Sequence, residues 1–211
     1  MVSQKVLYYE PGSCSLFVRI VLEEGGFEDV GYERVYTDGE EFVLEDGALY
    51  RSVNPKGWIP ALRVESGEIL SEASVIGQYL VSLRPEKFNF PSTGLAKFQA
   101  MAMMNYIAAD IHKGIMTIKK PFNTDQSREW LRNDMYKRYQ YLEDILESQP
   151  YLLGEGFSIA DAYAYTTTRW FEARGMDISR LPNIVSWQQR IESIPFVRSA
   201  IKNEGLSPLY T

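Results

Sequence analysis

The chain has one cysteine, Cys14, and one histidine, His112, in 211 residues. A single cysteine closes no intrachain disulfide and builds no multi-cysteine zinc site, and a single histidine excludes any two-histidine metal motif. Nowhere do eighteen apolar residues run together, so no transmembrane helix is expected. The opening MVSQKVLYYE lacks a basic segment, a long apolar segment and a cleavage signature, so no secretory signal is expected. Nor does positive charge dominate: 22 Lys and Arg against 28 Asp and Glu give a formal net charge of −6. That balance, without a block of like charge, argues against nucleic acid or an anionic membrane as a partner. A lone thiol fits a reducing, cytoplasmic setting. What remains is ordinary for a globular chain: 45% hydrophobic and 24% charged residues, enough core for one large domain or two small ones.

Periodicity divides the chain in two. KVLYY (5–9) reads as a buried strand, and from Ser15 the residues Leu16, Phe17, Ile20, Val21 and Leu22 recur at helical spacing until Gly25-Gly26 stops them. YERVY (32–36) alternates like a second strand, and 38–50 reads as an acidic loop with a short helix. IPALRVESGEIL (59–70) reads as a hairpin, and SEASVIGQYLVSL (71–83) as a helix. Residues 1–83 therefore predict a βαβ unit followed by ββα, a small α/β layer with a crossover helix. RPEKFNFPSTG (84–94) has the composition of a linker. Beyond it, 95–211 shows no strand, and helices are predicted over 95–119, 126–148, 158–174, 184–193 and from 196. The fold class expected is α/β plus all-α.

Five stretches carry chemistry-bearing residues. In YYEPGSCSLFVRIVLEEGG (8–26), Cys14 stands where a helix begins. The unpaired amides and positive dipole end there favour an anion and hence a thiolate. The other reading of a lone cysteine is a small buried hydrophobe. Its neighbours Gly12, Ser13 and Ser15 are small and polar and argue for access. In NPKGWIPAL (54–62), Ile59-Pro60 leads into a strand. A cis bond there would present the Ile59 backbone to an extended peptide, whereas bond statistics favour trans. In LSEAS (70–74), Ser71 reads as an N-cap and Glu72 as a first-turn acid, or the free amides there bind a carboxylate. On the helix 95–119, Asn105 and His112 lie seven residues apart, about two α-turns, and share a face, with Lys113 beside it. In GFSIADAYAY (156–165), Ser158 and Asp161 form a capping box with a structural role.

Taken in order, YEPGSCS, NPKGWIPAL, SEAS, NYIAADIHKG and GFSIADAY…RW resemble a glutathione transferase, most closely the bacterial beta class, over essentially the whole chain. The resemblance implies a thioredoxin-like N-terminal domain with a cis proline at Pro60 and an all-helical C-terminal domain. It implies reduced glutathione as co-substrate, with no metal or resident cofactor. Glutathione would lie extended against the Ile59 backbone, with its γ-glutamyl end at Glu72 and Ala73. Its sulfur would face Cys14, which forms a mixed disulfide with it. Asn105, His112 and Lys113 would reach it from the helical domain, His112 exchanging a proton with the thiol. A small hydrophobic electrophile would occupy the cleft between the domains, and the protein would be a homodimer. The implied activity is conjugation to electrophiles, with thiol–disulfide exchange alongside. A glutathione-dependent disulfide or peroxide reductase and a non-catalytic hydrophobic-ligand binder are the alternatives. The sequence departs from the pattern twice. No lysine occurs between Lys5 and Lys56, where the beta class places one near the glycine carboxylate of glutathione; the matching TDGEEF is acidic, leaving Arg34 or Arg51 as substitutes. Ala73 stands where many relatives have serine.

Overall fold

The computed structural model describes residues 4–38 and 41–210. The chain divides into two compact units. One runs to Lys87 and also contains Phe196–Ser207; the other comprises Phe88–Pro195 and the tail from Pro208. No local pattern foretells that the last helix packs with the first unit.

In the first unit, β1 (Lys5–Tyr9), β2 (Val30–Arg34), β5 (Ala61–Arg63) and β6 (Ile69–Ser71) form one sheet in the order β2-β1-β5-β6. The β1–β2 pair is parallel because α1 (Ser15–Gly25) crosses over between them, and β5 and β6 form the expected antiparallel hairpin. The pleat sorts β1: Leu7 belongs to the fully buried set with Leu16, Phe17, Ile20, Leu62, Ile76 and Leu80, while Val6 and Tyr8 join Val35, Tyr50 and Ala61 in a separate cluster. Each such large side chain contributes about 1.5–3 kcal/mol by leaving water. Helix α2 (Ala73–Leu83) lies so close to α1 that a Cβ at Gly77 would overlap the Phe17 ring.

Helix α1 ends where the glycine pair predicted. Gly26 turns left-handed (φ 63°), its N–H bonds Glu23 O, and the Phe27 N–H bonds Leu22 O, a Schellman motif. Arg84 donates to Gly25 O (2.9 Å) and Gly26 O (2.6 Å), taking up carbonyls that the helix leaves open. The loop expected over 38–50 contains more order than that. β3 (Tyr36–Asp38) and β4 (Glu41–Val43) pair antiparallel, followed by a 3₁₀ turn at Tyr50–Ser52. Thr37, Phe42 and Val43 suit a pleated ribbon, a signal that the acidic neighbours masked. Gly39 and Glu40 of TDGEEF lie outside the described residues.

The second unit is helical: α3 (Gly94–Tyr106), a π-helical segment (Ile107–His112), α4 (Lys113–Thr117), α5 (Asp125–Ser148), α6 (Ile159–Thr168) and α7 (Pro182–Ser193). The predicted helix 158–174 breaks after Thr168 into turns and a 3₁₀ segment, Glu172–Arg174. Thr166, Thr167 and Thr168 stand in succession there, each bonding its hydroxyl to a carbonyl three or four residues back, a pattern that weakens a helix. Both halves of the Ser158–Asp161 capping box are present. Buried Glu143 accepts from Asn183 N and Ile184 N, both at 2.8 Å, and so caps α7 behind Pro182. Helix α8 (Pro195–Asn203) closes the chain's helical part. Among the described residues no helix is long and apolar enough to cross a membrane.

Candidate active site

Strand register brings three sequence-predicted elements of the first unit to one end of the sheet. Tyr8 pairs with Ala61, and Ala61 with Ser71. The turn that follows β1, the Ile59-Pro60 step before β5 and Glu72 after β6 therefore emerge together. The parallel pairing Tyr9↔Arg34 adds the end of β2.

The turn after β1 is built for tightness. Ser13 N–H bonds Glu10 O (3.1 Å) across Pro11 and Gly12, and Gly12 has φ 73°, the pattern of a type II turn. Ser13 Oγ then accepts from Ser15 N (3.2 Å), and Ser15 Oγ donates back to Glu10 O (2.9 Å). Cys14 takes the N-cap position of α1 with an αR backbone and no side-chain cap bond. The expectation of an open thiol is not met: Cys14 is only 8% exposed. Its Sγ donates to Ile59 O at 3.3 Å. The small neighbours that argued for access are instead consumed in the turn.

Ile59-Pro60 is cis, as the resemblance implied. The NPKG turn before it is locked from within. Gly57 N bonds Asn54 O (2.8 Å), and Trp58 O accepts from both Asn54 Nδ2 (2.6 Å) and Tyr50 Oη (3.3 Å). Burial pushes the Tyr50 hydroxyl pKa well up, so it stays a protonated donor.

Ser71 is not the cap of α2. It closes β6, and Glu72 occupies the N-cap with φ 72°, the sole described non-glycine residue at positive φ. Such a conformation is costly for a residue with a Cβ and collects at functional sites. Ala73 opens the helix and is buried. Lys56 Nζ contacts Glu72 Oε1 (2.8 Å) and Ser71 Oγ (3.1 Å), an exposed ion pair that sequence reasoning did not single out. Of the two arginines offered for the missing lysine, Arg51 is committed elsewhere: it binds Glu41 (3.0 Å) and the carbonyls of Pro55 and Lys56. Arg34 ends β2 at the site end of the sheet, its guanidinium over the Tyr36 ring at 4.9 Å.

Sequence reasoning also missed what fastens the Cys14 turn. Glu204, just beyond α8, accepts from Gly12 N at 2.8 Å and pairs with Arg19 at 3.4 Å, both side chains being buried. The Arg19 guanidinium lies 3.8 Å from the Tyr32 ring centroid and 4.8 Å from that of Tyr9. No local pattern links positions 12, 19 and 204.

Asn105, His112 and Lys113 belong to the second unit. The shared-face argument assumed an unbroken α-helix, and the π segment corrects it. A π-turn takes roughly one residue more than an α-turn. That rotates the helix beyond it by about 100°, so Asn105 and His112 do not stack as two α-turns would. Arg138 donates to the Asp110 carbonyl (2.9 Å), which lies within the π segment, and binds Asp134 (2.8 Å). Asn105 and Lys113 are exposed. The half-buried His112 ring is fixed by a 2.8 Å hydrogen bond between Nδ1 and Tyr163 Oη and by contact with Trp170 at 5.2 Å.

Comparison with known proteins agrees with this architecture. Residues 12–83 match the family model described as glutathione S-transferase, N-terminal domain, and residues 106–195 match glutathione S-transferase, C-terminal domain. The chain is 34% identical over 201 residues to glutathione S-transferase GstA of Escherichia coli O157:H7, covering 95% of this chain and 98% of that protein. The crystal structure of a glutathione transferase from Methylococcus capsulatus superposes with a TM-score of 0.89 at 36% identity, over 95% of this chain and 98% of that one. A sphingomonad glutathione S-transferase complexed with glutathione gives a TM-score of 0.88 at 28% identity, over 96% of this chain and all (100%) of that one. The chain belongs to the glutathione S-transferase family.

Proposed function

We propose that the protein conjugates reduced glutathione to small hydrophobic electrophiles. The observation that carries this is the convergence of Cys14, the Ile59-Pro60 step and the strained Glu72 at one end of a single sheet. A tripeptide lying across that end pairs with the Ile59 backbone and displaces the Cys14 thiol from Ile59 O. Its γ-glutamyl carboxylate meets the first amides of α2 at Ala73, where a helix start favours an anion. Its amino group meets the Glu72 carboxylate, which exchanges Lys56 for it. Arg34 or the released Lys56 supplies the cation for the glycine carboxylate. The glutathione sulfur then faces Cys14 at the start of α1, whose dipole favours the thiolate. The thiolate attacks an electrophilic carbon, a carbon–sulfur bond forms and the leaving group departs with the electron pair. Asn105, His112 and Lys113 enter this reading through the family motif. Tyr163 donating to Nδ1 would leave Nε2 of His112 as the proton-bearing nitrogen.

Thiol–disulfide exchange is the second reading, and the placement of Cys14 at the N-cap of α1 favours it. The Cys14 thiolate attacks a glutathionyl disulfide, forms the mixed disulfide and releases the other thiolate. The assembly proposed is a homodimer, supported by Leu95 and Phe98 on α3 and Trp130 on α5, which are 74%, 63% and 65% exposed. The test is turnover of parent, Cys14→Ala and Cys14→Ser with glutathione plus a chloronitrobenzene, and with a glutathionyl mixed disulfide. Loss of disulfide turnover alone assigns Cys14 to exchange. No turnover by the parent with either substrate overturns the reading in favour of a non-catalytic binder.

A further inference from the structure

Within the helical unit lies a cavity of about 380 Å³ lined by Ile118, Lys119, Arg128, Arg132, Ala173 and Arg174, with Gly175 at its edge. Four of these seven side-chain positions are cationic in a chain whose formal net charge is −6. Arg128 alone has a carboxylate partner, Asp125 at 3.0 Å, and Asp125 is fully exposed, so that pair is a weak rim contact. Among the described residues Lys119, Arg132 and Arg174 have no ion-pair partner. Arg132 spends Nε on the Arg174 carbonyl at 2.9 Å, which holds its guanidinium in place. Arg174 is the more telling residue. Its Nη2 reaches only a thioether, Met116 Sδ at 3.3 Å, and its Nε is buried with no hydrogen-bond partner. Burial pushes its pKa down, with no neighbouring anion to oppose the shift. A buried donor left unmade is costly, and more so when charged. Left-handed Gly175 (φ 67°) turns the chain sharply beside it, and a Cβ there would press on Arg132 at 3.2 Å.

We propose that this cavity binds a small organic dianion, its oxyanion oxygens taken by Arg174, Arg132 and Lys119 and its apolar body lying on Ile118 and Ala173. The volume suits a compact molecule, and guanidinium forks suit carboxylate and phosphate oxygens alike. None of its lining residues is among the glutathione contacts proposed above, and the proposal does not depend on them.

Calorimetric titration of the full-length protein in chloride at fixed ionic strength tests it, with phthalate as the dicarboxylate probe and inorganic pyrophosphate as the phosphate probe. Saturable one-to-one binding of either supports the site, and the tighter probe names the source of the oxyanion. Arg174→Gln should weaken binding about tenfold or more, the size of one charge-assisted hydrogen bond. Lys119→Gln should weaken it severalfold, and serves if Arg174→Gln fails to fold. Lys56→Gln should bind as the parent does. Absence of saturable binding by both probes overturns the proposal. So does equal affinity in parent, Arg174→Gln and Lys119→Gln, or loss of binding in Lys56→Gln alone, which would place the anion in the other unit.

Discussion

Asp161 is the residue whose removal discriminates most sharply between a structural and a chemical role. Its carboxylate is fully buried and accepts four hydrogen bonds: from Ser158 N (3.0 Å), Ser158 Oγ (2.6 Å), Leu152 N (2.8 Å) and Trp187 Nε1 (3.0 Å). It thus fastens the start of α6 to the preceding loop and to α7. Asp161→Ala strands three N–H donors away from water. Each costs about 1–3 kcal/mol, and partial relaxation leaves a loss of about 3–6 kcal/mol. That is a large share of the roughly 5–15 kcal/mol that holds a typical domain. Ser158→Ala removes only a hydroxyl and should cost about 0.5–2 kcal/mol. Urea denaturation gives both values, and turnover per folded molecule is measured well below the denaturation midpoint. The expected pattern is a large stability loss for Asp161→Ala, a small one for Ser158→Ala, and unchanged turnover in whatever remains folded. Equal, small losses of stability with collapsed turnover would refute the capping assignment.

Three further outcomes are expected. His112→Ala should lower turnover and shift the ionisation of bound glutathione to higher pH, and His112→Asn should recover part of it. Unchanged pH profiles and thiolate absorbance in both variants would remove His112 from the mechanism. Glu204→Ala should destabilise the protein by about 3–5 kcal/mol, because it leaves the Arg19 charge buried and unpaired, and a variant as stable as the parent in urea would contradict this. The Asp29 carboxyl is held below its ordinary value chiefly by the hydrogen bond from Lys5. A depressed carboxylate stabilises above its unfolded value of 3.8 and loses that contribution as pH falls. The stability gap between parent and Lys5→Met should therefore be steady near neutrality and narrow on acidification, and a gap that widens in acid would contradict it.

Much of the fold was legible in residue order. The βαβ-ββα order, the glycine stop of α1 and the Ser158–Asp161 box are local signals and all are present, although the strand read over 32–36 divides between the end of β2 (Val30–Arg34) and the start of β3 (Tyr36–Asp38). The misses are non-local or depend on backbone detail. Helix propensity does not foresee that Arg138, more than twenty residues away, draws on the Asp110 carbonyl where 107–112 is π-helical, and so the Asn105–His112 spacing misled. A serine before an acid reads as a cap, yet β6 keeps Ser71 and leaves Glu72 at positive φ. Cys14 looked accessible because its neighbours are small; those neighbours spend their hydroxyls on one another, and the thiol turns to Ile59 O. The hold of Glu204 on Gly12 spans nearly the whole chain and has no sequence signature.

The central claim is that glutathione binds at the end of the sheet where Cys14, Ile59-Pro60 and Glu72 converge. A crystal structure of the protein with reduced glutathione tests it directly. The account predicts the glutathione sulfur beside Cys14 Sγ, main-chain pairing with Ile59 and the γ-glutamyl group at Glu72 and Ala73. Glutathione bound elsewhere, or that end of the sheet empty at saturating glutathione, would contradict it.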